Sequence, residues 1–230
     1  YTYNFDLTIN QRIANRISIE LTGFYTLFRN AILKAPFKLN GQDSIIYNGV
    51  KSQVLASQNV NKANLYGFTF NVAADIYKGI GFSSTMSYTK GSFKTDASKT
   101  SGVYEKQANG TYALVNRNVS SKPLDHIPPF MGKTSVTYQH KIFNTEAYLL
   151  YNGWKRLDQY NADGEDNAQY ATADGMPSWM TLNWKANVNV LKYLQVQVGV
   201  ENILDRNYRA FASGFSAGGR NFLVGLRANW

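Results

Sequence analysis

Along most of this chain, apolar and polar residues alternate with a period of two, and the pattern recurs about nine times. That period sends successive side chains to opposite faces of an extended strand. The closing stretch is typical: Phe222, Val224, Leu226, Ala228 and Trp230 share one face, while Asn221, Gly225, Arg227 and Asn229 share the other, with Leu223 the apolar exception. The first strand sets Tyr3, Phe5, Leu7 and Ile9 against Asn4, Asp6 and Thr8. The second sets Ile17, Ile19, Leu21, Tyr25 and Leu27 against Ser18, Glu20, Thr22 and Thr26. Tyr66 to Ala74, Ile80 to Tyr88 and a segment near 130–140 follow. A sixth strand, near 145–156, has no clear phase. The seventh, Met180 to Val190, and the eighth, around Val196 to Val200, are regular again.

Pairing tests the reading. A hairpin with Leu191, Lys192 and Tyr193 as its loop sets Val190 against Leu194, Val188 against Val196, Ala186 against Val198 and Trp184 against Val200. Asn189 then meets Gln195 and Asn187 meets Gln197, so each pair matches in polarity, as register requires where the two faces differ. A loop of Tyr77, Lys78 and Gly79 sets Ile76 against Ile80 and Ala74 against Phe82, with Gly79 in the left-handed position.

The connections alternate in length. Short turns fall near 11–15, 77–79, 140–144 and 191–193, and long polar loops near 30–60, 92–126, 157–177 and 211–219. Strands of about 9–11 residues with short turns at one end and long loops at the other describe an all-β, antiparallel transmembrane barrel, turns periplasmic and loops extracellular. Tyr25, Tyr66, Tyr88, Tyr138, Trp179 and Trp230 lie near predicted strand ends, where amphipathic rings favour the membrane interface. The first and last strands run the same way. Since an open edge is not viable in lipid, residues 1–230 are expected to be a single-domain, N-terminally incomplete part of a barrel, its other strands preceding Tyr1 in the favoured reading and supplied by another chain in the alternative.

Composition agrees. Of 230 residues, 44% are hydrophobic and 14% aromatic, led by 16 Tyr and 13 Phe. No run approaches the roughly 18 apolar residues of a transmembrane helix. With no cysteine, there is no disulfide framework and no thiolate metal site. The net charge of +9 comes from cations scattered over turns, loops and polar faces, which suits anionic lipid head groups better than nucleic acid.

Four segments resemble the C-terminal barrel half of TonB-dependent outer-membrane receptors, in that family's order. They are Asn59-Val-Asn-Lys-Ala-Asn-Leu-Tyr-Gly-Phe-Thr-Phe70, Pro123-Leu-Asp-His-Ile-Pro-Pro129, Glu201-Asn-Ile-Leu-Asp-Arg-Asn-Tyr208 and the closing Gly219–Trp230. Ile203-Leu204 stands where the family has Leu-Phe, Thr69 where it has Glu, and Trp230 where it has Phe. The resemblance implies a 22-stranded barrel with an N-terminal plug, of which this chain is roughly strands 14 to 22, with the plug absent from it. It implies an outer-membrane receptor of a Gram-negative bacterium that imports a scarce nutrient (an iron-siderophore, haem, cobalamin or glycan) by plug-gated transport. Its partners would be the TonB energising complex, engaged through the missing N-terminal part, the barrel assembly machinery, outer-membrane lipid and lipopolysaccharide, and a surface lipoprotein. A passive porin-like barrel and a soluble all-β carbohydrate-binding or interaction module are the rival readings.

Residue chemistry points to binding, and no enzyme or cofactor is expected. The two histidines, His126 in a long loop and His140 on a turn, lie at opposite ends and cannot share a site. Ligand-contact candidates are the aromatic and cationic loop residues Tyr104, Tyr112, Arg117, His126, Arg156, Tyr160, Tyr170, Arg209 and Phe211. Asp163, Glu165 and Asp166 gather oxygen atoms without the spacing of a calcium loop, and are expected to be a solvated acidic loop before a metal site. Lys185, Glu201 and Arg227 belong to the polar face as lumen wall, Lys185 diagonal to Glu201 as an ion pair. Phe222 and Trp230 resemble the C-terminal signal used in barrel assembly.

Overall fold

The computed structural model describes residues 1–164, 166 and 168–228, with side chains omitted at 31, 33–36, 60 and 61. Nine strands follow one another as antiparallel neighbours: β1 (Thr2–Ile13), β2 (Ile17–Pro36), β3 (Leu55–Tyr77), β4 (Ile80–Lys94), β5 (Met131–Gln139), β6 (Phe143–Asn152), β7 (Trp179–Leu191), β8 (Leu194–Glu201) and β9 (Asn221–Ala228). The result is an all-β meander, open at β1 and β9, forming part of a barrel wall. A short strand, Ser121–Pro123, folds back onto the end of β4.

Register explains the two faces. Tyr3, Phe5 and Leu7 lie opposite Leu27, Tyr25 and Gly23, and Tyr25, Leu21 and Ile19 lie opposite Tyr66, Phe70 and Val72. The apolar set stays exposed: Phe5 is 65% and Val224 79% accessible. In a soluble fold this face would be the core; here it is bare, as a lipid-facing surface must be when only protein is counted. Two small hydroxyls on it satisfy each other. Ser84 Oγ and Thr134 Oγ1 are 2.8 Å apart under the Tyr151 hydroxyl, 3.3 Å from Thr134. Hydrocarbon offers no other partner.

Both predicted hairpins hold their main registers and differ at the turn. Ala74 meets Phe82, Val188 meets Val196 and Trp184 meets Val200, as the sequence predicts. However, Tyr77 rather than Ile76 meets Ile80, and Leu191 rather than Val190 meets Leu194. Ile76 and Val190 are bulged, so each turn closes on two residues and the residue after the bulge joins the outer face. At the first of these turns Lys78 and Gly79 both take positive φ, 40° and 85°, the geometry of a primed turn.

The sixth strand now has a phase. Ala147 lies between Val136 and Trp184, and Glu146 between Thr137 and Lys185, so Ala147, Leu149 and Tyr151 face outward while Glu146 and Tyr148 face inward. Its ambiguity arose because Tyr148 and Leu150 are apolar on the wet side. Trp179, expected at the interface, is on the inner face and stacks on Tyr208 with ring centroids 4.3 Å apart. The expected loop 30–60 is mostly ladder: β2 and β3 continue pairing to Pro36↔Leu55 and carry a hairpin, Ser44–Tyr47 with Val50–Gln53. No helix is long and apolar enough to cross a membrane among the described residues.

The small buried core lies inside the sheet at its loop end. Ala63 and Phe93 pair across β3 and β4, and the chain after β4 returns over them. Gly91 permits this approach: a Cβ there would stand 2.8 Å from Leu124 Cδ1 and 3.0 Å from Leu65 Cδ1. Leu157, Tyr160 and Met176 complete the core from the next loop.

Candidate functional site

The loop end is held by two devices. The first is the segment Asn202–Tyr208. Asn202, buried and at φ 49°, accepts a hydrogen bond from Arg206 N at 2.9 Å and donates to Arg206 O at 2.9 Å and Gly218 O at 3.4 Å. Its own N–H is taken by Asn183 Oδ1 on β7 at 2.8 Å. Asp205 Oδ1 accepts from Arg220 N at 2.9 Å, and Tyr208 stacks on Trp179. The motif's Asn, Asp and Tyr thus tie the start, end and middle of the last loop to the wall.

The second device is an ion-pair knot. Lys155, 2% exposed, donates from Nζ to Ile127 O at 2.7 Å and Asp166 Oδ2 at 2.9 Å. Its ammonium also lies 4.2 Å from the Phe211 ring centroid and 4.6 Å from that of Tyr160. Asp166 Oδ1 accepts from His126 N at 2.8 Å, with His126 Nδ1 3.3 Å away. Lys122, equally buried, bonds Asp163. Burial pushes the Lys155 pKa down, opposed by its bond to Asp166, and pushes the Tyr160 phenol up to about 12.

This changes the reading of the acidic loop. Asp163 and Asp166 are withdrawn from water and neutralised by Lys122 and Lys155, where the sequence predicts a solvated loop. Glu165 lies outside the described residues. Among the described residues no group of three or more His, Asp or Glu is arranged to hold a metal ion.

The other candidates scatter around the rim. Tyr104, Tyr112 and Arg117 belong to a hairpin, Thr100–Lys106 with Tyr112–Asn118, and Arg117 Nε pairs with Glu105 Oε1 at 2.7 Å. Arg156 lies over the Trp154 ring at 4.0 Å, and Arg209 donates to Tyr170 O with its guanidinium 6.0 Å from the Tyr170 ring. Tyr170 is half exposed, whereas Tyr160 is only 2% exposed and Phe211 covers Lys155. Trp154, Lys155 and Lys122 were missed by sequence reasoning; the one legible signal was that Asp163 and Asp166, if buried, would need two lysines.

Below the rim, Lys185, Glu201 and Arg227 share the inner face through the pairs Lys185↔Gly199, Glu201↔Asn221 and Gln195↔Arg227. Lys185 binds Glu146 at 2.8 Å, and Lys133 binds the other oxygen at 2.6 Å, so the carboxylate partner of Lys185 is Glu146 rather than Glu201. Glu201 instead accepts from Asn221 at 3.3 Å. A cleft of about 500 Å³ lies between these groups and the last loop, lined by Tyr148, Thr181, Asn183, Glu201, Tyr208 and Arg220 among others. Phe222 lies on the outer face, 71% exposed, and Trp230 is outside the described residues.

Comparison with known proteins agrees with this architecture. Among solved structures, a copper transporter, OprC, covers 99% of this chain at 14% identity with a TM-score of 0.68, and this chain spans 30% of it. The ferric enterobactin receptor PfeA of Pseudomonas aeruginosa covers 99% at 17% identity (TM-score 0.63, 31% of its length). The ferric yersiniabactin uptake receptor FyuA of Yersinia pestis covers 100% at 14% identity (TM-score 0.61, 30% of its length). At these identities the likeness concerns the fold, and the chain spans about a third of each protein. No curated protein matches the sequence. The family described as TonB dependent receptor-like, beta-barrel matches residues 1–203, and with nine-tenths of the sequence inside that match, the chain belongs to this family.

Proposed function

We propose that this chain forms part of the wall of an outer-membrane receptor that imports a scarce nutrient by TonB-dependent, plug-gated transport. The observation that carries the reading is the division of the wall: a bare apolar outer face, a polar inner face, and loops folded inward over one end only. The edges of β1 and β9 cannot stand open in hydrocarbon, and a larger barrel supplies the strands that cover them. The end bearing short turns is periplasmic and the knotted loop end extracellular.

Cargo meets the rim first. The cation–aromatic pairs Arg156–Trp154 and Arg209–Tyr170 favour an anionic or aromatic ligand, and the solved relatives named above handle copper and ferric chelates. A metal chelate is therefore the first cargo class to try. Transport draws on the energising complex through a plug, assembly on the barrel machinery through the Phe222–Trp230 strand. Growth on single iron or copper chelates, in strains lacking the receptor or the energising protein, tests the reading. Both deletions should abolish growth on the same chelate. Uptake that persists without the energising protein would make the barrel a passive pore.

A further inference from the structure

An acid and a base line the same cleft at the loop end of the inner face and do not pair. Glu201 closes β8, Asn221 opens β9 opposite it, and Arg220 directly precedes Asn221. Both charged residues line the cleft of about 500 Å³ beneath the last loop, yet no ion pair joins them. Each is held from another side. Glu201 Oε2 accepts from Asn221 Nδ2 at 3.3 Å. Arg220 Nε donates to Ile203 O, and its backbone N–H to Asp205 Oδ1, both at 2.9 Å. Among the described residues nothing bonds Glu201 Oε1 or the terminal nitrogens of Arg220.

The rest of the lining is polar and already satisfied. Buried Asn183 donates to Thr181 O and Thr181 Oγ1 at 3.1 Å each, and its Oδ1 accepts from Asn202 N at 2.8 Å. A saturated floor does not compete for a ligand's charges, so recognition falls to Glu201, Arg220 and the tyrosines Tyr148 and Tyr208. A simple anion is drawn by Arg220 and repelled by Glu201, and a simple amine meets the reverse. A molecule carrying both charges suits both walls. Tyr208 also lines the neighbouring rim cavity of about 250 Å³, together with Tyr170 and Arg209. The two spaces therefore adjoin, and one ligand can reach from the rim into the cleft.

We infer that this cleft is a subsite for a zwitterionic amino-acid group on the cargo, its ammonium against Glu201 and its carboxylate against the terminal nitrogens of Arg220. A guanidinium fork matches a carboxylate in two parallel hydrogen bonds, and a carboxylate with one open oxygen accepts from an ammonium. The inference rests on the import reading above and narrows it. Of the metal chelates to try first, the fit is to one that carries a free α-amino-acid group at its periphery.

The test uses the intact receptor that carries this chain, folded in detergent micelles and verified by heat-modifiable electrophoretic mobility. Three probes differ only in charge: L-leucine, N-acetyl-L-leucine without the ammonium, and L-leucine methyl ester without the carboxylate. Saturation-transfer NMR titrations should show the parent binding leucine roughly tenfold more tightly than either capped form. Glu201→Gln should erase the preference over the N-acetyl form and keep the preference over the ester. Arg220→Gln should do the opposite. Should that variant not fold, Arg220→Lys keeps the charge without the fork and should lose part of the preference over the ester. Lys78→Gln, on a turn at the far end, should alter no preference; a change there would mean that net charge is being read, and would overturn the inference. So would a parent that binds the three probes alike, or variants that weaken all three equally, which is the mark of a merely structural role. Uptake without the energising protein removes the import reading and leaves the charge preference standing. Energised import with no charge preference removes this inference alone.

Discussion

Two lysine–carboxylate clusters, about one loop apart, use the same chemistry in opposite settings. On the wall, Lys133 and Lys185 share Glu146, and their side chains remain 42% and 51% exposed. In the loop knot, the side chains of Lys155 and Asp166 are 3% and 1% exposed. A wet ion pair gains little, because water already solvates both charges. A dry one costs desolvation and is kept only if every donor and acceptor is used, after which removing one partner leaves a stranded charge. The charges of the knot meet that condition, since the Lys155 ammonium has a carbonyl, a carboxylate and two rings, and Asp166 holds the left-handed backbone of His126, while the buried Tyr160 hydroxyl beside them has no hydrogen-bond partner among the described residues. The wall cluster therefore leaves its charges accessible on the inner face, and the knot fixes where the loops lie.

The largest expected effect follows from that contrast. Asp166→Ala should release the knot at a local cost of about 3–5 kcal/mol. Hydrogen exchange should rise across residues 153–178 while the wall strands keep their protection. Unchanged exchange in that segment would show that the loops are held by packing alone.

A second comparison sets the faces of β7 against each other. Trp184, near mid-strand on the outer face, replaced by Lys should destabilise the folded barrel in vesicles by about 2–4 kcal/mol. Asn187→Lys, three residues on and facing inward, should cost little, since its amide hydrogen bond to Asn144 at 2.8 Å is in water. Urea titration in lipid vesicles reads both. Equal costs would mean that the two faces meet the same solvent, and the membrane reading would fall.

The faces were legible in the sequence because polarity at period two is a local property, and strands such as Met180–Val190 display it without reference to any neighbour. The bulges at Ile76 and Val190 were not legible. A two-residue and a three-residue turn differ by one slip at the hairpin end, which polarity does not penalise when Tyr77 and Leu191 are as apolar as their neighbours. The knot was hidden for another reason. Lys155 and Asp166 are eleven residues apart, Lys122 and Asp163 forty-one, and only the folding back of two loops over Phe93 brings them together. The signature Asn202–Tyr208 was visible as a resemblance, but what its residues do became clear only through Asn183, Gly218 and Arg220.

On the wet side of the first comparison, small effects are expected. Lys185→Gln should change the stability of the barrel by about 1 kcal/mol or less, since Lys133 still pairs with Glu146 and the pair is screened by water and salt. The double exchange with Lys133→Gln should exceed the sum of the singles, because only then is Glu146 left without a cation. A large effect from Lys185→Gln alone would place that residue in a drier, plug-covered setting than the open wall shows.

The finest distinction between wall and knot is a proton. Burial raises the Tyr160 phenol to about 12, against about 10 in the unfolded chain. Between those values the unfolded chain loses a proton that the folded knot retains, so Tyr160 contributes stability in full below pH 10 and loses it as the pH climbs toward 12. Lys155 has the opposite sign. Its folded value is depressed by burial, so between that value and the ordinary lysine range the unfolded chain binds more protons and stability rises with pH. The knot should thus gain stability toward pH 10 and lose it beyond. The tyrosinate difference spectrum between the parent protein and Tyr160→Phe isolates the phenol: it should show one tyrosine ionising about two pH units above the ordinary range. A difference spectrum that titrates near 10 would mean that water reaches Tyr160, and with it the ammonium of Lys155 beside its ring.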